Sequence, residues 1–407
     1  MKILHTADWH LGQALHGFDR RREQADFLGQ IATIVGEEQP DAMLISGDVF
    51  NHSNPSAATL KLYVDSMLAI HQACPTMSII VTAGNHDSPS RLSADGELWK
   101  YFKVHVIGRV ETTDGKVNAE SHLVEVKDKE GKALGLVVAV PYIHSQNIPD
   151  TDGPSTGDTR MKRFFQSLLD KAIAQNRSSV PIVLMAHLAV SGSDRAGHDK
   201  SLLNMEFYPL YMLGQGYDYL SLGHLHRPQE VPGSGGRARY AGTPVAVSFN
   251  EDYPHSVAIV DVTRGQVPVT RLREITNPIP LITLPHAPRP FEEALLALAG
   301  FPDEEEAYIR LNVLVDDYPP ADSMERASHA TEGKACKLCL LKATRKEASA
   351  TDKEDSQLTL QDVRELSPLE IAEHYYREVE NREMDDDLRE MLNEVIKEVE
   401  AKQRSET

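Results

Sequence analysis

Cysteine is scarce in this chain, with three residues in 407. Three cysteines cannot form the disulfide framework that stabilises small secreted domains. Cys336 and Cys339 have the spacing of half a zinc site or of a redox pair, but the sequence contains no second pair. Both fall in residues 335–342, which are predicted to form a strand, and residues three apart on a strand point to opposite faces. We therefore expect neither a zinc site nor a redox centre there.

Long apolar segments are also missing. No run of about 18 apolar residues occurs, and the first residues, MKILHTAD, lack the apolar core of a signal peptide. The composition, 41% hydrophobic and 25% charged, is typical of a soluble globular protein. The sequence therefore predicts a cytoplasmic protein that does not contact a membrane.

Basic residues are outnumbered, with 42 Lys and Arg against 61 Asp and Glu and a formal net charge of -19. Such an excess argues against a nucleic-acid substrate. However, residues 346–407 contain 19 acidic and 9 basic residues, so more than half of the excess lies in this tail. Cations bound in the rest of the chain would reverse the local charge there. The net charge therefore does not exclude a phosphate-rich substrate.

Apolar segments of strand length alternate with amphipathic helical segments in the first part of the chain, and further strands follow. Residues 43–45, for example, are all apolar, and the segment ends at a Gly-Asp turn. This pattern predicts an α/β (α+β) fold in which two mixed sheets pack face to face with helices outside. Residues 239–242, 256–262 and 267–272 are predicted to form an antiparallel run that closes the domain.

Changes in composition predict three domains. Asn277 and Pro278 end the first domain, residues 1–277, and residues 278–345 alternate strands and helices as a small α+β domain. A polar linker then begins residues 346–407, which contain amphipathic helices near 367–379 and 386–401. Short helices of this kind gain little stability by folding alone, so we expect their apolar stripes to be buried. They would either dock on the rest of this chain or lie in the groove of a partner.

Five groups of polar residues follow predicted strands. Open α/β sheets hold their ligands at the carboxyl ends of the strands, so we expect these groups to meet. Carboxylate, imidazole and amide groups together suit Mn²⁺ better than Mg²⁺ or Ca²⁺, which prefer oxygen. A bridging carboxylate can hold two ions about 3.5–4 Å apart, as in two-metal hydrolysis. The groups are Asp8-Trp9-His10, Gly47-Asp48, Gly84-Asn85-His86-Asp87, His187 and Gly223-His224-Leu225-His226.

The order of these groups resembles the motifs of the calcineurin-like metallophosphoesterases. The segments ILHTADWHLG (residues 3–12) and GDVF (residues 47–50) are more specific. They resemble the SbcD family, the nuclease subunits of bacterial SbcCD complexes, and its archaeal and eukaryotic relatives. The resemblance spans the whole chain, with residues 278–345 as a capping domain. It implies a metal-dependent DNA nuclease that hydrolyses phosphodiesters with two metal ions in DNA repair, replication and recombination.

The resemblance also implies roles for individual residues. His86 corresponds to the catalytic histidine, which lies over the scissile phosphate without binding metal. Asn51 stands where relatives often have Asp or His, a change that concerns the handling of the DNA strand rather than the metal site. One metal ion would bind Asp8, His10, Asp48 and His226, and the second would bind Asp48, Asn85, His187 and His224.

The same resemblance implies partners. It predicts an ATP-dependent double-strand exonuclease and single-strand endonuclease, acting on DNA ends and hairpins in a complex of two SbcD and two SbcC ATPase subunits. The phosphate-binding sequence G-x-x-x-x-G-K-[ST] is absent from this chain, so ATP would act through SbcC. The family further implies a homodimer, through helices such as residues 57–74, a tail that binds SbcC, and a cytoplasmic location at the nucleoid.

Five arginines close to these groups in sequence are candidates for contacts with the DNA backbone. Guanidinium groups pair well with phosphate oxygens. For residues 20–22, the exposed face of a solvated helix explains the charges equally well. The candidates are Arg20, Arg21, Arg22, Arg91 and Arg227.

Two other interpretations are open. The chain could be a phosphoesterase for phosphoproteins, cyclic nucleotides or nucleotides. Ser/Thr phosphatases have Gly-Asn-His-Glu and an Arg-Gly after Gly-Asp, and periplasmic nucleotidases need a signal peptide, all of which this sequence lacks. It could instead be an inactive scaffold, but every implied ligand and His86 are present. Both interpretations are therefore less favoured than a DNA nuclease.

Overall fold

The computed structural model describes residues 1–149, 157–196 and 206–346, together with residues 389 and 391. The chain divides into two units, Met1–Arg345 and Lys346–Thr407, and the fold below is that of the first unit. The tail helices predicted near 367–379 and 386–401 lie outside the described residues, apart from residues 389 and 391. None of the helices in the described part of the chain is long and apolar enough to cross a membrane.

The first sheet contains the strand that ends at Asp48. Strand Ala42–Ser46 is buried at every position because its two faces pack against different layers. Met43 and Ile45 pack toward the helices, whereas Leu44 packs toward a second sheet. Parallel pairing with Lys2–Thr6 and Ser78–Thr82 places this strand in the centre. The six strands run in the order Val269–Glu274, Ser256–Asp261, Lys2–Thr6, Ala42–Ser46, Ser78–Thr82 and Val104–Ile107.

Two helices cover the outer face of this sheet. Helix Arg21–Glu38 buries Phe27 and Ile31 there and ends at Gln39, which adopts a left-handed conformation. Helix Ala57–Ala73 begins after Ser56, whose hydroxyl accepts the backbone N–H of Thr59 at 3.2 Å. Both helices thus place apolar residues at helical spacing against the sheet.

The second sheet is also mixed. Helix Gly157–Gln175 covers its outer face, with Phe164, Phe165 and Leu168 fully buried against the strands. The inner faces of the two sheets pack together through an apolar layer that includes Ile3, Leu44, Val137 and Val183. The six strands run in the order Gln229–Glu230, Ala238–Tyr240, Tyr219–Gly223, Ile182–His187, Ala133–Ala139 and Leu123–Lys127. The predicted architecture of two mixed sheets packed face to face is confirmed.

One predicted pairing is wrong. Ala238–Tyr240 does not join the antiparallel run but pairs in parallel with Tyr219–Gly223 in the second sheet. Ser256–Asp261 and Val269–Glu274 are antiparallel as predicted, and they extend the first sheet beside Lys2–Thr6. Apolar alternation identifies a strand but carries no information about which neighbour it pairs with. The close sequence spacing of these strands therefore gave a misleading topology.

Residues 278–345, here called the capping domain, form a parallel three-stranded sheet with two helices. The strands are Leu281–Arg289, Tyr308–Val315 and Lys337–Arg345, and the helices are Phe291–Ala299 and Ser323–Ala330. Cys336 packs against the helices, and Cys339 packs on the other face of the sheet near Tyr308. Both are free thiols.

Short elements complete the described part of the chain. They are the helices Pro89–Leu92 and Gly96–Trp99; the 3₁₀ turns Lys100–Phe102, Ala119–His122, Ser145–Asn147 and Leu210–Leu213; and the two-residue strand pairs Ala14–Leu15 with Phe18–Asp19, Thr112–Thr113 with Lys116–Val117, and Ala189–Val190 with Phe207–Tyr208.

Candidate metal centre

The loops after five central strands, three in the first sheet and two in the second, meet at one edge of the molecule. The backbone N–H of Asp8 donates to the Gly47 carbonyl at 3.0 Å, which joins two loops of the first sheet. The N–H of His224 donates to the Asp8 carboxylate at 3.0 Å, which joins the two sheets. The structure brings together all eight residues named from the sequence: Asp8, His10, Asp48, Asn85, His86, His187, His224 and His226.

Glycines make this close approach possible. A β-carbon on Gly47 would lie 2.2 Å from the His187 ring, and one on Gly84 would lie 2.1 Å from the Asp48 carboxylate. A β-carbon on Gly223 would lie 1.9 Å from the carbonyl oxygen of Ser46. Contacts this short are sterically forbidden, so the three loops can reach one another only with glycine at these positions.

Four of the candidate ligands have strained backbones. Asp8, His10 and Asp48 have φ values of 53°, 44° and 49°, and His224 has a φ of 101°. A left-handed conformation costs a non-glycine residue about 1–3 kcal/mol. Hydrogen bonds between the loops hold it, including one of 3.0 Å from the His10 N–H to the Asp48 carbonyl. Strain of this kind, concentrated on residues that share one site, indicates a functional arrangement.

The first group of side chains is formed by Asp8, His10 and His226, with Asp48 beside them. The Nε2 atoms of His10 and His226 face each other at 3.3 Å, and the Asp48 carboxylate lies 3.8 Å from His10. Burial lowers the pKa of both imidazoles to about 3, so both are neutral at pH 7. The Nδ1 of His226 lies 3.0 Å from the carboxylate of Glu251, which can only accept, so His226 carries its hydrogen on Nδ1. Its Nε2 therefore presents a lone pair.

The second group is formed by Asp48, Asn85, His187 and His224. The Nδ1 of His187 donates to the Ser46 carbonyl at 2.8 Å, so its Nε2 faces the site. That Nε2 lies 3.0 Å from the amide oxygen of Asn85 and 3.3 Å from the Asp48 carboxylate. The Nδ1 of His224 approaches the same amide oxygen to 2.9 Å. Imidazole nitrogens, a carboxylate and an amide oxygen thus converge on one point.

These donor sets fit two cations. In each group imidazole nitrogens face one another or a carboxylate or amide oxygen at 2.9–3.8 Å, and all of these are ligand types that a divalent cation accepts once the imidazoles are deprotonated. Burial alone would lower the pKa of His187, but the Asp48 and Asp8 carboxylates raise it to about 9. Burial alone would raise the pKa of Asp48, but His187 and His10 lower it well below its usual value. A proton on His187 thus balances the charge that a bound cation would balance instead.

His86 differs from the other histidines of the site because it is exposed. Its backbone N–H donates to the Asp48 carboxylate at 2.8 Å, and its Nδ1 lies 3.0 Å from the carbonyl oxygen of Asn51. The ring meets that of His10 edge to face, with the centroids 4.9 Å apart. Its ligand atom also lies within 4.8 Å of those of His10 and Asp48. His86 therefore lies at the solvent side of the two groups, where a substrate would approach.

Two buried carboxylates that support the site were not named as site residues from the sequence. Asp87 accepts the backbone N–H groups of Val49, Phe50 and Gly84 at 3.1, 2.8 and 2.8 Å, although burial raises its pKa to about 6. It thereby joins the loops of Asp48 and His86, and its place in the Gly-Asn-His-Asp group was the available signal. Glu251, which binds His226, lies 25 residues further along the chain and has no sequence signal.

Two of the five candidate arginines are engaged with neighbouring elements. Arg20 is 2% exposed, pairs with Glu23 at 2.8 Å and donates to the Ala246 carbonyl at 2.5 Å. The prediction that Arg20 contacts DNA therefore does not fit the structure, because its charge is used inside the protein. Arg22 is exposed and pairs with Glu306 of the capping domain at 2.8 Å.

The other three arginines are exposed or partly buried. Arg21 pairs with Asp19, and Arg227 pairs with Asp194. Arg91 is exposed, and its guanidinium forms no ion pair with any described residue. It lines an open cavity of about 720 Å³ next to the loop of His86, together with Ser53, Asn54, Leu60, Ser88, Ser90, Ala94 and Asp95.

Two family models of known proteins match this chain. The family model of the calcineurin-like phosphoesterases matches residues 1–228, more than half of the chain. A second model, described as type 5 capsule protein repressor C-terminal domain, matches residues 277–380. The resemblance that the sequence motifs indicated is thus confirmed.

Three relatives are each named as the SbcD component of the nuclease SbcCD. The protein of Rhodobacter capsulatus is 32% identical, covering 86% of this chain and 89% of its own length. That of Bacillus subtilis is 30% identical, covering 82% and 84%. That of Escherichia coli K12 is 23% identical over 97% of both chains. The chain therefore belongs to the calcineurin-like phosphoesterases and, within them, to the SbcD family of metal-dependent nucleases.

Proposed function

We propose that the centre binds two Mn²⁺ ions and that the chain uses them to hydrolyse phosphodiester bonds in DNA. The observation that carries this proposal is the convergence of imidazole nitrogens, carboxylates and an amide oxygen around Asp48. Such mixed nitrogen and oxygen ligands favour Mn²⁺ over Mg²⁺ or Ca²⁺. One ion would bind Asp8, His10, Asp48 and His226, and the other would bind Asp48, Asn85, His187 and His224.

Two cations in such a site polarise a phosphate and lower the pKa of a water molecule. The chain itself positions His86 beside the candidate ligands His10 and Asp48. Its Nδ1 is held by the Asn51 carbonyl at 3.0 Å, so its Nε2 is the ring atom that remains for the substrate. In the imidazolium form His86 would stabilise negative charge on the phosphate or give a proton to the leaving oxygen.

We propose DNA as the substrate because the relatives at 32% and 30% identity are named as components of the nuclease SbcCD. Arg91 supports this assignment, since it is exposed and lines a cavity together with Ser53, Ser88 and Ser90. Hydroxyl and guanidinium groups are the usual partners of backbone phosphates. Arg21, Arg22 and Arg227 are further candidates at the surface, and each would exchange an acidic partner for phosphate.

We further propose that the chain acts in a complex with the SbcC ATPase, as two copies of each protein. The relatives' names support the partner, and because this sequence has no G-x-x-x-x-G-K-[ST] loop, ATP would act through that partner. The nuclease domain would be residues 1–277 and the capping domain residues 278–345, with residues 346–407 binding SbcC. Two copies would associate through helices such as Ala57–Ala73.

One assay tests the substrate class. The purified chain with Mn²⁺ is incubated separately with single-stranded DNA, a phosphopeptide and a cyclic nucleotide. We expect cleavage of DNA and negligible turnover of the other two. Preferential hydrolysis of the phosphopeptide or the cyclic nucleotide would reject the nuclease assignment, and inactivity on all three would favour a scaffold.

A further inference from the structure

One loop encloses the metal-ligand candidate His226. Residues 241–255, here called the Glu251 loop, return to His226 after the short strands that follow it. The backbone N–H of Thr243 donates to the His226 carbonyl at 3.0 Å. Gly242 has a φ of +74°, and a β-carbon there would lie 2.5 Å from the same carbonyl. The loop is therefore in direct contact with His226 at its backbone.

Glu251 connects the loop to the imidazole ring. It is 5% exposed, and one of its carboxylate oxygens lies 3.0 Å from the Nδ1 of His226. The other oxygen accepts the hydroxyl of Thr243 at 2.9 Å and the N–H of Val247 at 3.2 Å. A carboxylate on the far nitrogen of a metal-binding histidine fixes the ring orientation and makes the other nitrogen a better ligand. Both oxygens of Glu251 are thus used to hold one geometry.

The capping domain holds the same loop through Arg310. This arginine lies on the capping strand Tyr308–Val315, and its guanidinium donates to the side-chain oxygen of Asn250 at 2.9 Å. It also lies 5.3 Å from the centre of the Phe249 ring and donates to Thr283 at 3.0 Å. Phe249 and Asn250 are the two residues immediately before Glu251.

A second connection runs from the nuclease domain. Arg20 donates to the Ala246 carbonyl, and Gln13 donates to the Val247 carbonyl at 3.0 Å. Arg20 also lies 5.6 Å from the centre of the Tyr308 ring in the capping domain. The loop is therefore fixed at its middle by the nuclease domain and next to Glu251 by the capping domain.

We infer that Glu251 is a positioning residue for His226, and that the capping domain sets the cation affinity at His226 by holding the Glu251 loop through Arg310. The inference rests on the proposed function, in which His226 binds one of two cations. Loss of the Arg310 contacts would free Phe249 and Asn250, which would loosen the carboxylate that orients His226. A change in the position of the capping domain would reach the metal centre by the same contacts.

Calorimetric titration of the full chain with Mn²⁺ tests this inference. We expect two sites in the wild type, and in Glu251→Ala a loss of about 10–100-fold in affinity at one of them. Glu251→Gln keeps an oxygen that can accept the Nδ1–H and should recover much of that loss. Arg310→Ala should weaken the same site by about 2–30-fold. The matched control is Arg326→Ala, since Arg326 lies in the capping domain and pairs there with Glu292; it should bind as the wild type does.

The possible results distinguish a failure of the roles given to Glu251 and Arg310 from a failure of the proposed metal site. Wild-type affinity in Glu251→Ala would overturn the positioning role, and equal affinities in Arg310→Ala and Arg326→Ala would overturn the link to the capping domain. Failure of the wild type to bind two ions, or unchanged binding in His226→Ala, would instead reject the metal assignment itself. Thermal melting of each cation-free variant identifies any that fail to fold. If Glu251→Ala is one of them, Glu251→Gln and Arg310→Ala decide the question.

Discussion

Asp87 should stabilise the loops of the candidate metal centre, although it is not one of the candidate ligands. Its Oδ2 accepts the backbone N–H groups of Val49 and Gly84, and its Oδ1 accepts that of Phe50. The carboxylate is 6% exposed, so water replaces these contacts poorly if it is removed. The perturbation we consider is its replacement by alanine and, separately, by asparagine.

The expected magnitudes follow from the three donors. A buried N–H left without an acceptor costs about 1–3 kcal/mol. Asp87→Ala leaves three such groups, but the raised pKa of Asp87 shows that burying its own charge offsets part of that cost. The free energy of unfolding should therefore fall by about 2–5 kcal/mol. Asp87→Asn can keep an oxygen at the Oδ2 position for Val49 and Gly84. Its NH₂ group then faces the N–H of Phe50, so one bond is lost and the cost falls to about 1–3 kcal/mol.

Urea denaturation of the cation-free chain, followed by circular dichroism, measures these differences. Asp65→Asn is the matched control, because Asp65 is exposed and pairs only with Lys61 among described residues, as a surface i,i+4 pair worth about 0.5 kcal/mol. The expected order of destabilisation is alanine, then asparagine, then the control. If Asp87→Ala were as stable as Asp65→Asn, the claim that this carboxylate holds the two loops would be refuted.

Four further predictions concern the centre and the tail. Asp48→Ala should lose both cations and DNA cleavage together, because one ligand serves both ions; two Mn²⁺ per chain by calorimetry would contradict the bridging role. His86→Ala should keep both cations but cleave DNA about 10²–10⁴-fold more slowly. His329→Ala in the capping domain is its control, and equal rates for the two would exclude His86 from the mechanism. Because the carboxylates raise the pKa of His187 to about 9, Mn²⁺ must displace a proton near neutral pH. Affinity should then rise between about pH 6 and 8, with a binding enthalpy that depends on the buffer. Truncation after Arg345 should leave a folded Mn²⁺ nuclease for single-stranded DNA that no longer binds SbcC stably or cuts duplex ends with ATP. Full-length affinity for SbcC would argue against the tail assignment, and loss of folding would favour docking of the tail on its own chain.

The sequence predicts that the candidate ligands lie together because each of them is tied to a local signal. Asp8 and Asp48 each lie two residues after an apolar strand. Glycine is required at position 47 because any β-carbon there would lie 2.2 Å from the His187 ring. Parallel strands deliver their carboxyl ends to one edge, so the order of the groups along the chain is enough to predict that they meet.

The supporting contacts could not be predicted because they join distant parts of the chain. Glu251 meets His226 only after the short strand Ala238–Tyr240 has turned the chain back, and no spacing rule gives that return. Arg20 and Arg21 are adjacent in the sequence, yet only Arg20 is enclosed by the loop at Ala246 and by Tyr308. Which member of a basic run is buried depends on tertiary packing.

The candidate ligands come from both sheets, with Asp8 and Asp48 on one and His187 and His224 on the other. Under the proposed assignment, cation binding and the packing of the two sheets are linked equilibria. At a free cation concentration of 100 times the dissociation constant, each site adds about 2.7 kcal/mol to the free energy of unfolding. The folded fraction of the nuclease domain would therefore depend on the divalent-metal supply of its surroundings, independently of any DNA that it cuts.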